Sequence, residues 1–294
     1  MTQPLLLIPV YRGGDRFLRC LRSLEQHLAY FDRTVLSINA CTGSEDEKAA
    51  RAFAARHSGI EVIVTGLEMT SFEHTRFWVA ALEGMGVAGS QPIFWLAHDD
   101  ELNGPGLACV GTPWQLDAET TYLGPWIVRH ESVESLWHAP EGHTDEVWTC
   151  FRRASPQRTI DWVRDQLDHP TYISFSGCVF PLAGMVALLH SRPRKASGMR
   201  IEMSMAAAPG MLRVAEFPVP LTVVYGRADS DRATIDRRLA QRDELHLLYW
   251  VARYSVSTSG ARAPFAAIVA AAAGRRIDGL RGRPGPGEEW LVRR

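Results

Sequence analysis

Four short apolar runs alternate with three helical patterns in the first hundred residues, and few folds accept that rhythm. Pro4 to Tyr11 is apolar and ends in Gly13-Gly14, which suits a buried parallel strand followed by a tight exit. Asp15 then opens a segment that places Phe17, Leu21, Leu24 and Leu28 on one helical face. Thr34 to Ala40 reads as the second strand. Ser44 follows as an N-cap, with Glu45 and Asp46 in the first turn of a helix carrying Ala49, Phe53 and Ala54. Ile60 to Thr65 is the third strand, Phe72 to Leu82 a helix, and Pro92 to Ala97 the fourth strand. Parallel neighbours need a crossover, and here each crossover is a helix. The class predicted is therefore α/β: a Rossmann-like, mostly parallel sheet with helices on both faces.

After Leu102 the rhythm changes. Gly104 to Thr112 reads as loop, Thr120 to Val128 as one strand, and residues 130 to 170 are rich in Trp, His and charge. Tyr172 to Phe175 and Leu212 to Val214 are short strand candidates, with a helix near Leu182 to His190 between them. A long helix is expected from Thr234 to about Tyr254, and a Gly-, Pro- and Arg-rich flexible tail from Arg275.

Composition excludes more than it selects. A net charge of −1 gives no global pull toward nucleic acid, so none is expected as a partner. The five cysteines are scattered and contain no Cys-x-x-Cys pair, which argues against a disulfide framework or zinc knuckle and for a reducing, cytoplasmic setting. The N-terminus lacks a secretory pattern, and Leu5 to Val10 and Phe265 to Ala273 are too short to span a bilayer. The tail arginines (Arg275, Arg276, Arg281, Arg283, Arg293, Arg294) offer a peripheral contact to anionic lipid at the inner face of the membrane, or simply solubilise the tail.

Open parallel sheets bind ligands at the carboxyl ends of their strands. Here those ends carry Tyr11-Arg12-Gly13-Gly14, Asn39 to Ser44, and His98-Asp99-Asp100-Glu101. The last is the most informative, because an apolar strand runs straight into consecutive acids. Adjacent carboxylates repel unless a cation or proton intervenes, and a hard divalent ion such as magnesium or manganese is the natural partner. A solvated acidic turn is the bland alternative. No Gly-x-x-x-x-Gly-Lys-Ser/Thr loop, Gly-x-Gly-x-x-Gly turn or Gly-x-Ser-x-Gly elbow is present, which argues against a P-loop NTPase, an ordinary NAD dehydrogenase and a serine hydrolase. Trp126, Trp137, Trp148 and Trp162 read as packing residues, and His130, His138 and His143 have no metal-ligand spacing.

Leu7-Ile8-Pro9-Val10-Tyr11, followed by a helix containing Cys20-Leu21-Arg22-Ser23-Leu24, resembles the opening of family 2 glycosyltransferases with the GT-A fold. Asn39 to Asp46 is similar to the loop after that family's second strand. Thr75-Arg76-Phe77 with Ala80-Ala81-Leu82 resembles its helix before the metal strand, and Trp95 to Leu102 its Asp-x-Asp segment. Ser176-Gly177-Cys178-Val179-Phe180 and Gly198-Met199-Arg200-Ile201-Glu202 resemble the acceptor-side strand and the helix bearing the general base. The resemblance spans residues 4 to 235. It implies a catalytic domain at 1–233, split into a nucleotide-sugar and metal half (1–102) and an acceptor half (103–233), with a helical extension at 234–294.

The resemblance further implies inverting sugar transfer from a nucleotide-diphosphate donor to a hydroxyl of a saccharide, lipid-linked or small-molecule acceptor. A divalent metal, manganese or magnesium, assists, and polysaccharide or glycoconjugate biosynthesis is the expected setting. Carried over residue by residue, Pro9, Tyr11, Arg12, Asn39, Arg76, His98, Asp99 and Arg227 bind the donor, Asp99 and Asp100 hold the metal, and Glu202 is the base. There are departures: Arg12 replaces an Asn, Asn39 or Ala40 replaces an acid, and Ala97 replaces the first Asp of Asp-x-Asp. Two other readings stay open. One is a sugar nucleotidyltransferase, thinly echoed in Arg12-Gly13-Gly14-Asp15-Arg16; the other is a catalytically silent nucleotide-sugar-binding module.

Overall fold

Strand β1 (Leu5–Val10) lies at the centre of the sheet, and Leu5, Leu6, Leu7, Ile8 and Val10 are fully buried. The computed structural model describes residues 3–118, 120–130, 146–148, 157–158, 176–191 and 213–226. Within these, β1 pairs in parallel with β2 (Thr34–Cys41) on one side and β4 (Pro92–Trp95) on the other. Outside β2, β3 (Ile60–Gly66) is also parallel, so the first four strands lie in the order 3-2-1-4. The expected crossover helices are α1 (Gly14–Leu24), α2 (Glu45–Ala54) and α3 (Ser71–Gly84).

The two faces of the sheet follow from the period of two in a strand. Leu6, Ile8 and Val10 join one core cluster with Phe17 and Leu21 of α1 and Phe53 of α2. Leu5 and Leu7, which point the other way, are equally buried, as are Trp78 and Leu82 of α3. The Trp78 ring meets Trp95 of β4 edge-on at 5.6 Å. The predicted apolar stripe of α1 is buried at Phe17, Leu21 and Leu24, and Leu28 instead begins a short 3₁₀ turn (Leu28–Tyr30). Ser44 caps α2 as expected, its hydroxyl accepting from the Glu47 amide at 3.2 Å. Thr70 and Glu73 close a reciprocal capping box on α3.

Beyond β4 come β5 (Glu101–Leu102), α4 (Gly104–Val110), β6 (Thr120–Leu123), β7 (Trp126–His130), β8 (Glu146–Trp148) and β9 (Gln157–Arg158). They are followed by β10 (Val179–Pro181), α5 (Leu182–Ser191), β11 (Arg213–Glu216) and β12 (Thr222–Gly226). The main sheet runs β3-β2-β1-β4-β10-β6-β11-β9, and a second sheet runs β5-β12-β7-β8. Helix α5 and strand β11 fall where the sequence put them. The long helix expected from Thr234, the tail, and the strand expected at Tyr172 to Phe175 lie outside the described residues.

Two local expectations need correction. Gly104 to Thr112 is not loop: Asn103 and Pro105 start α4, and Gly111, at φ 72°, stops it, so Pro and Gly act here as helix start and stop. The single strand expected at Thr120 to Val128 is two strands in different sheets, divided at Gly124-Pro125. A Cβ on Gly124 would sit 2.8 Å from the Gly177 carbonyl oxygen, so only glycine lets the two chains cross there. The main sheet is mostly parallel, as expected, and β10 is the strand that runs antiparallel to both β4 and β6.

One buried group makes the fold pH-sensitive. His74 of α3 is 5% exposed and hydrogen-bonds the Ser37 hydroxyl of β2 at 2.8 Å. Burial lowers its pKa to about 4; the Ser37 bond pulls it back in part and His98 lowers it further. The unfolded chain takes up this proton below about 6.5, the folded chain only near 4. The stability His74 contributes is therefore complete above 6.5 and lost as pH falls through that window. Melting temperatures recorded between pH 4 and 7 should climb with pH, and His74→Gln should flatten the climb; an unchanged slope would show that His74 is not the group responsible.

Candidate functional site

The four parallel strands deliver their carboxyl ends to one edge, and that edge is built by side chains reaching between neighbouring loops. Arg12, just past β1, is the only non-glycine residue with positive φ among the described residues, at 50°. For a residue with a Cβ this left-handed turn is strained by about 1–2 kcal/mol. It presents the amides of Gly13 and Gly14 to the Asp46 carboxylate in the first turn of α2, at 2.8 and 3.0 Å. The Arg12 side chain, 68% exposed, pairs with Glu68 beyond β3 at 2.9 Å, and its guanidinium lies 5.0 Å from the Tyr11 ring centroid. Tyr11 is 40% exposed, and Pro9 is half-buried within β1.

Asn39 near the end of β2 is buried and acts as a peptide mimic. Its Nδ2 donates to the Met69 carbonyl at 2.8 Å, and its Oδ1 accepts from the Met69 amide at 2.7 Å. Asn39 thereby fixes the β3–α3 connection against the end of β2. Arg76 is exposed on α3, while His98 and Asp99 form a half-buried turn after β4. The structure thus brings Tyr11, Arg12, Asn39 and the His98-Asp99 turn to one sheet edge. Arg227 and Glu202 lie outside the described residues.

The acidic run is divided. Asp100 is 5% exposed and points inward; the Ser176 hydroxyl donates to one of its oxygens, and the Tyr225 amide donates to the other at 3.3 Å. Ser176 also accepts from the Ala97 amide at 2.9 Å. Glu101 pairs with Arg19 of α1 at 3.2 Å and accepts from the Tyr225 hydroxyl at 2.9 Å. Arg19 donates to the Asp99 carbonyl at 2.8 Å, and its guanidinium lies 3.6 Å from the centroid of the Tyr225 ring. Burial, then the Glu101 charge and hydrogen bond, push the Tyr225 pKa up to about 12 against the opposing pull of Arg19. Tyr225 therefore remains a hydrogen-bond donor at neutral pH.

The expected metal pair meets this geometry unequally. Repulsion within the run is relieved largely by Ser176, Tyr225 and Arg19, and each oxygen of Asp100 accepts from a protein donor. In this conformation Asp100 serves as a buried hydrogen-bond acceptor, while Asp99 lies in the half-buried turn. Among the described residues no group of three His, Cys, Asp or Glu side chains is placed to cage an ion. A divalent ion fits this edge only with Asp99 as its carboxylate and with oxygens from a bound diphosphate and water.

Sequence reasoning missed Arg19, and it read Ser176 only as part of a motif. A faint signal was present: Arg19 and Ser23 sit at i and i+4 beside the apolar stripe of α1. Ser23 accepts from the Leu102 amide at 3.3 Å, so α1 turns a polar seam toward the acidic turn. Trp126 is fully buried, in keeping with packing, and four cysteines (Cys20, Cys41, Cys109 and Cys178) are free thiols. Among the described residues no helix is long and apolar enough to cross a membrane.

Ser176→Ala removes a donor from buried Asp100 and an acceptor from Ala97. Urea unfolding should show a loss of about 1–3 kcal/mol with an unchanged m-value. Wild-type stability in this variant would mean that Asp100 is anchored by other groups.

No protein-family model matches the sequence, and a search of curated proteins gives no match. Solved structures do match. S. aureus TarS, residues 1–349, superposes with a TM-score of 0.61 at 11% identity, over 95% of this chain and 72% of that one. Its complex with UDP gives 0.60 at 11% identity over 98% and 77%, and its complex with UDP-GlcNAc gives 0.59 at 11% over 95% and 73%. TarS is a GT-A-type family 2 glycosyltransferase. At this identity the likeness is one of architecture, and the chain has the GT-A-like fold of these structures.

Proposed function

We propose that this chain is an inverting glycosyltransferase that moves a sugar from a nucleotide-diphosphate donor to a hydroxyl acceptor. The observation that carries the reading is the shared edge: Tyr11, Arg12, Asn39 and the Asp99 turn converge at the carboxyl ends of a 3-2-1-4 parallel sheet. The fold is that of TarS, whose structures include UDP and UDP-GlcNAc complexes. In this reading the exposed Tyr11 ring stacks on the base, Pro9 and Asn39 border the nucleoside, and Arg12 and Arg76 offer positive charge to the phosphates. Arg227 closes on the diphosphate from the segment after β12. A divalent ion held by Asp99, with His98 beside it, would supply charge stabilisation to the leaving diphosphate.

The acceptor oxygen attacks the anomeric carbon from the face opposite the diphosphate. As that bond forms, the bond from carbon to phosphate oxygen breaks, and the nucleoside diphosphate leaves with the electron pair. Glu202 takes the acceptor's proton. If Glu202 opens a helix, as its sequence context suggests, free amides would keep its carboxylate ionised, while the apolar neighbours Ile201 and Met203 would raise its basicity. A saccharide or lipid-linked acceptor would suit work on cell-surface polymers at the inner face of the membrane, with the basic tail as a peripheral contact. A nucleotidyltransferase is the weaker reading, because the Gly13 and Gly14 amides that would cradle a triphosphate are occupied by Asp46.

A panel of nucleotide sugars, screened by thermal shift with and without manganese, should contain one that raises the melting temperature. Incubation with that donor and an acceptor should release nucleoside diphosphate. Pyrophosphate exchange would instead identify a nucleotidyltransferase, and binding with neither product a silent module. Asp99→Asn should fold normally but lose manganese-supported turnover. Glu202→Gln should slow transfer by roughly 10²–10⁴-fold with donor binding retained. Normal transfer by both variants would refute the assignment of the site.

A further inference from the structure

Arg19 lies in the middle of α1 with only 12% of its side chain exposed, and one guanidinium serves three separate stretches of chain. Its Nη2 donates to the Asp99 carbonyl in the turn after β4 at 2.8 Å, and its Nε lies 3.2 Å from Glu101 in β5. Its plane packs 3.6 Å from the ring centroid of Tyr225 in β12. Tyr225 closes two loops back to the same run: its hydroxyl donates to Glu101 at 2.9 Å, and its amide donates to Asp100 at 3.3 Å. The result is a ring of contacts in which the Asp99 turn and the exit of β12 cannot shift independently.

We infer that Arg19 is a positioning residue that couples the Asp99 turn to the chain leaving β12 through Gly226. The inference rests on the proposed function in one respect. A donor diphosphate would lie against the Asp99 turn, so the seating of that turn against β12 would set the rate. Burying a cation among three segments is an expensive way to fill space, and an apolar side chain would pack against Tyr225 without it. The geometry needs arginine in particular. One nitrogen of its planar head donates to the Asp99 carbonyl while the charge pairs with Glu101 and the face stacks on a ring, and the ammonium of lysine is a point charge with no face.

Arg19→Lys keeps the charge beside Glu101 and loses the stacked plane, and Arg19→Met keeps the length and loses the charge. The two variants and the wild type are compared by hydrogen exchange, urea unfolding and turnover of the donor found by thermal shift. The expected result is faster exchange in residues 97–102 and 222–226 together, with β1 and β2 as protected as in the wild type. Turnover should fall about 10²-fold, the loss expected of a misplacement on the order of an ångström, with the donor KM nearly unchanged. Arg19→Lys should recover stability but not turnover, a split that a purely structural role would not produce. Wild-type turnover in both variants, or exchange that rises in one segment alone, would overturn the coupling. If the wild-type protein turns over no nucleotide sugar yet both segments loosen together, the coupling stands and the proposed function fails.

Discussion

Three consecutive carboxylates at the end of a buried strand set the problem that the rest of the site solves. At a separation of 4 Å and an effective dielectric of about 20, each like-charged pair would repel by about 4 kcal/mol. Hydrogen bonds to charged groups return about 1.5–3 kcal/mol each, so several donors from fixed positions are required. They come from separate parts of the chain: Ser176 beside β10, the Tyr225 amide and hydroxyl of β12, and Arg19 of α1. Asp100 and Glu101 become fasteners between elements, and the half-buried His98-Asp99 turn lies at the edge.

The fastening explains why the sheet becomes mixed where it does. Strand β10 pairs with β4 in antiparallel register, and the pairing continues past the strand itself. Gly177 donates to the Trp95 carbonyl and Trp95 to the Cys178 carbonyl, each at 2.9 Å. One residue further on, the Ser176 hydroxyl takes over from the backbone, accepting from Ala97 while donating to Asp100. A parallel neighbour reached through a helix would not bring a hydroxyl to this point by a continuing ladder. The second sheet is drawn in by the same run, since Glu101 and Leu102 pair with Val223 and Thr222 of β12. Gly177, at φ 87°, lies where a Cβ would come within 3.1 Å of the Thr222 hydroxyl, so the junction of the two sheets depends on a residue without a side chain.

What was legible in the sequence was whatever is decided locally. The alternating apolar runs and amphipathic stretches marked out the first four strands and the helices between them, though not the 3-2-1-4 order, and Ser44 announced its own cap. Helix α4 was missed because Gly104, Pro105 and Gly111 were read as loop formers, although Pro in a first turn and Gly past a last turn also bound a helix. The break between β6 and β7 was illegible because it is imposed by contact with Gly177, more than fifty residues away in the chain. The hydrogen-bonding role of Asp100 was illegible for a related reason: a carboxylate at a strand end looks the same in sequence whether it faces a cleft or the core. Its partners lie 76 and 125 positions away, and those of Arg19 are as remote.

The turn after β1 carries a further consequence for any anion at this edge. Amides at the start of a helix ordinarily attract phosphate, and a glycine pair makes them easy to approach. Here Asp46 accepts from both the Gly13 and Gly14 amides, so that site already holds a carboxylate of the protein. A diphosphate at the edge must then be neutralised by side chains and any bound cation rather than by a backbone cradle. Arg12 offers an exposed cation at this turn, in an exposed ion pair with Glu68, the kind of contact that is weak and screened by salt. Its guanidinium lies 5.0 Å from the centroid of the Tyr11 ring, beside the left-handed turn. The strain at Arg12 and the occupation of the amides by Asp46 are therefore two parts of one arrangement, in which the helix terminus is closed to anions and a guanidinium is offered in its place.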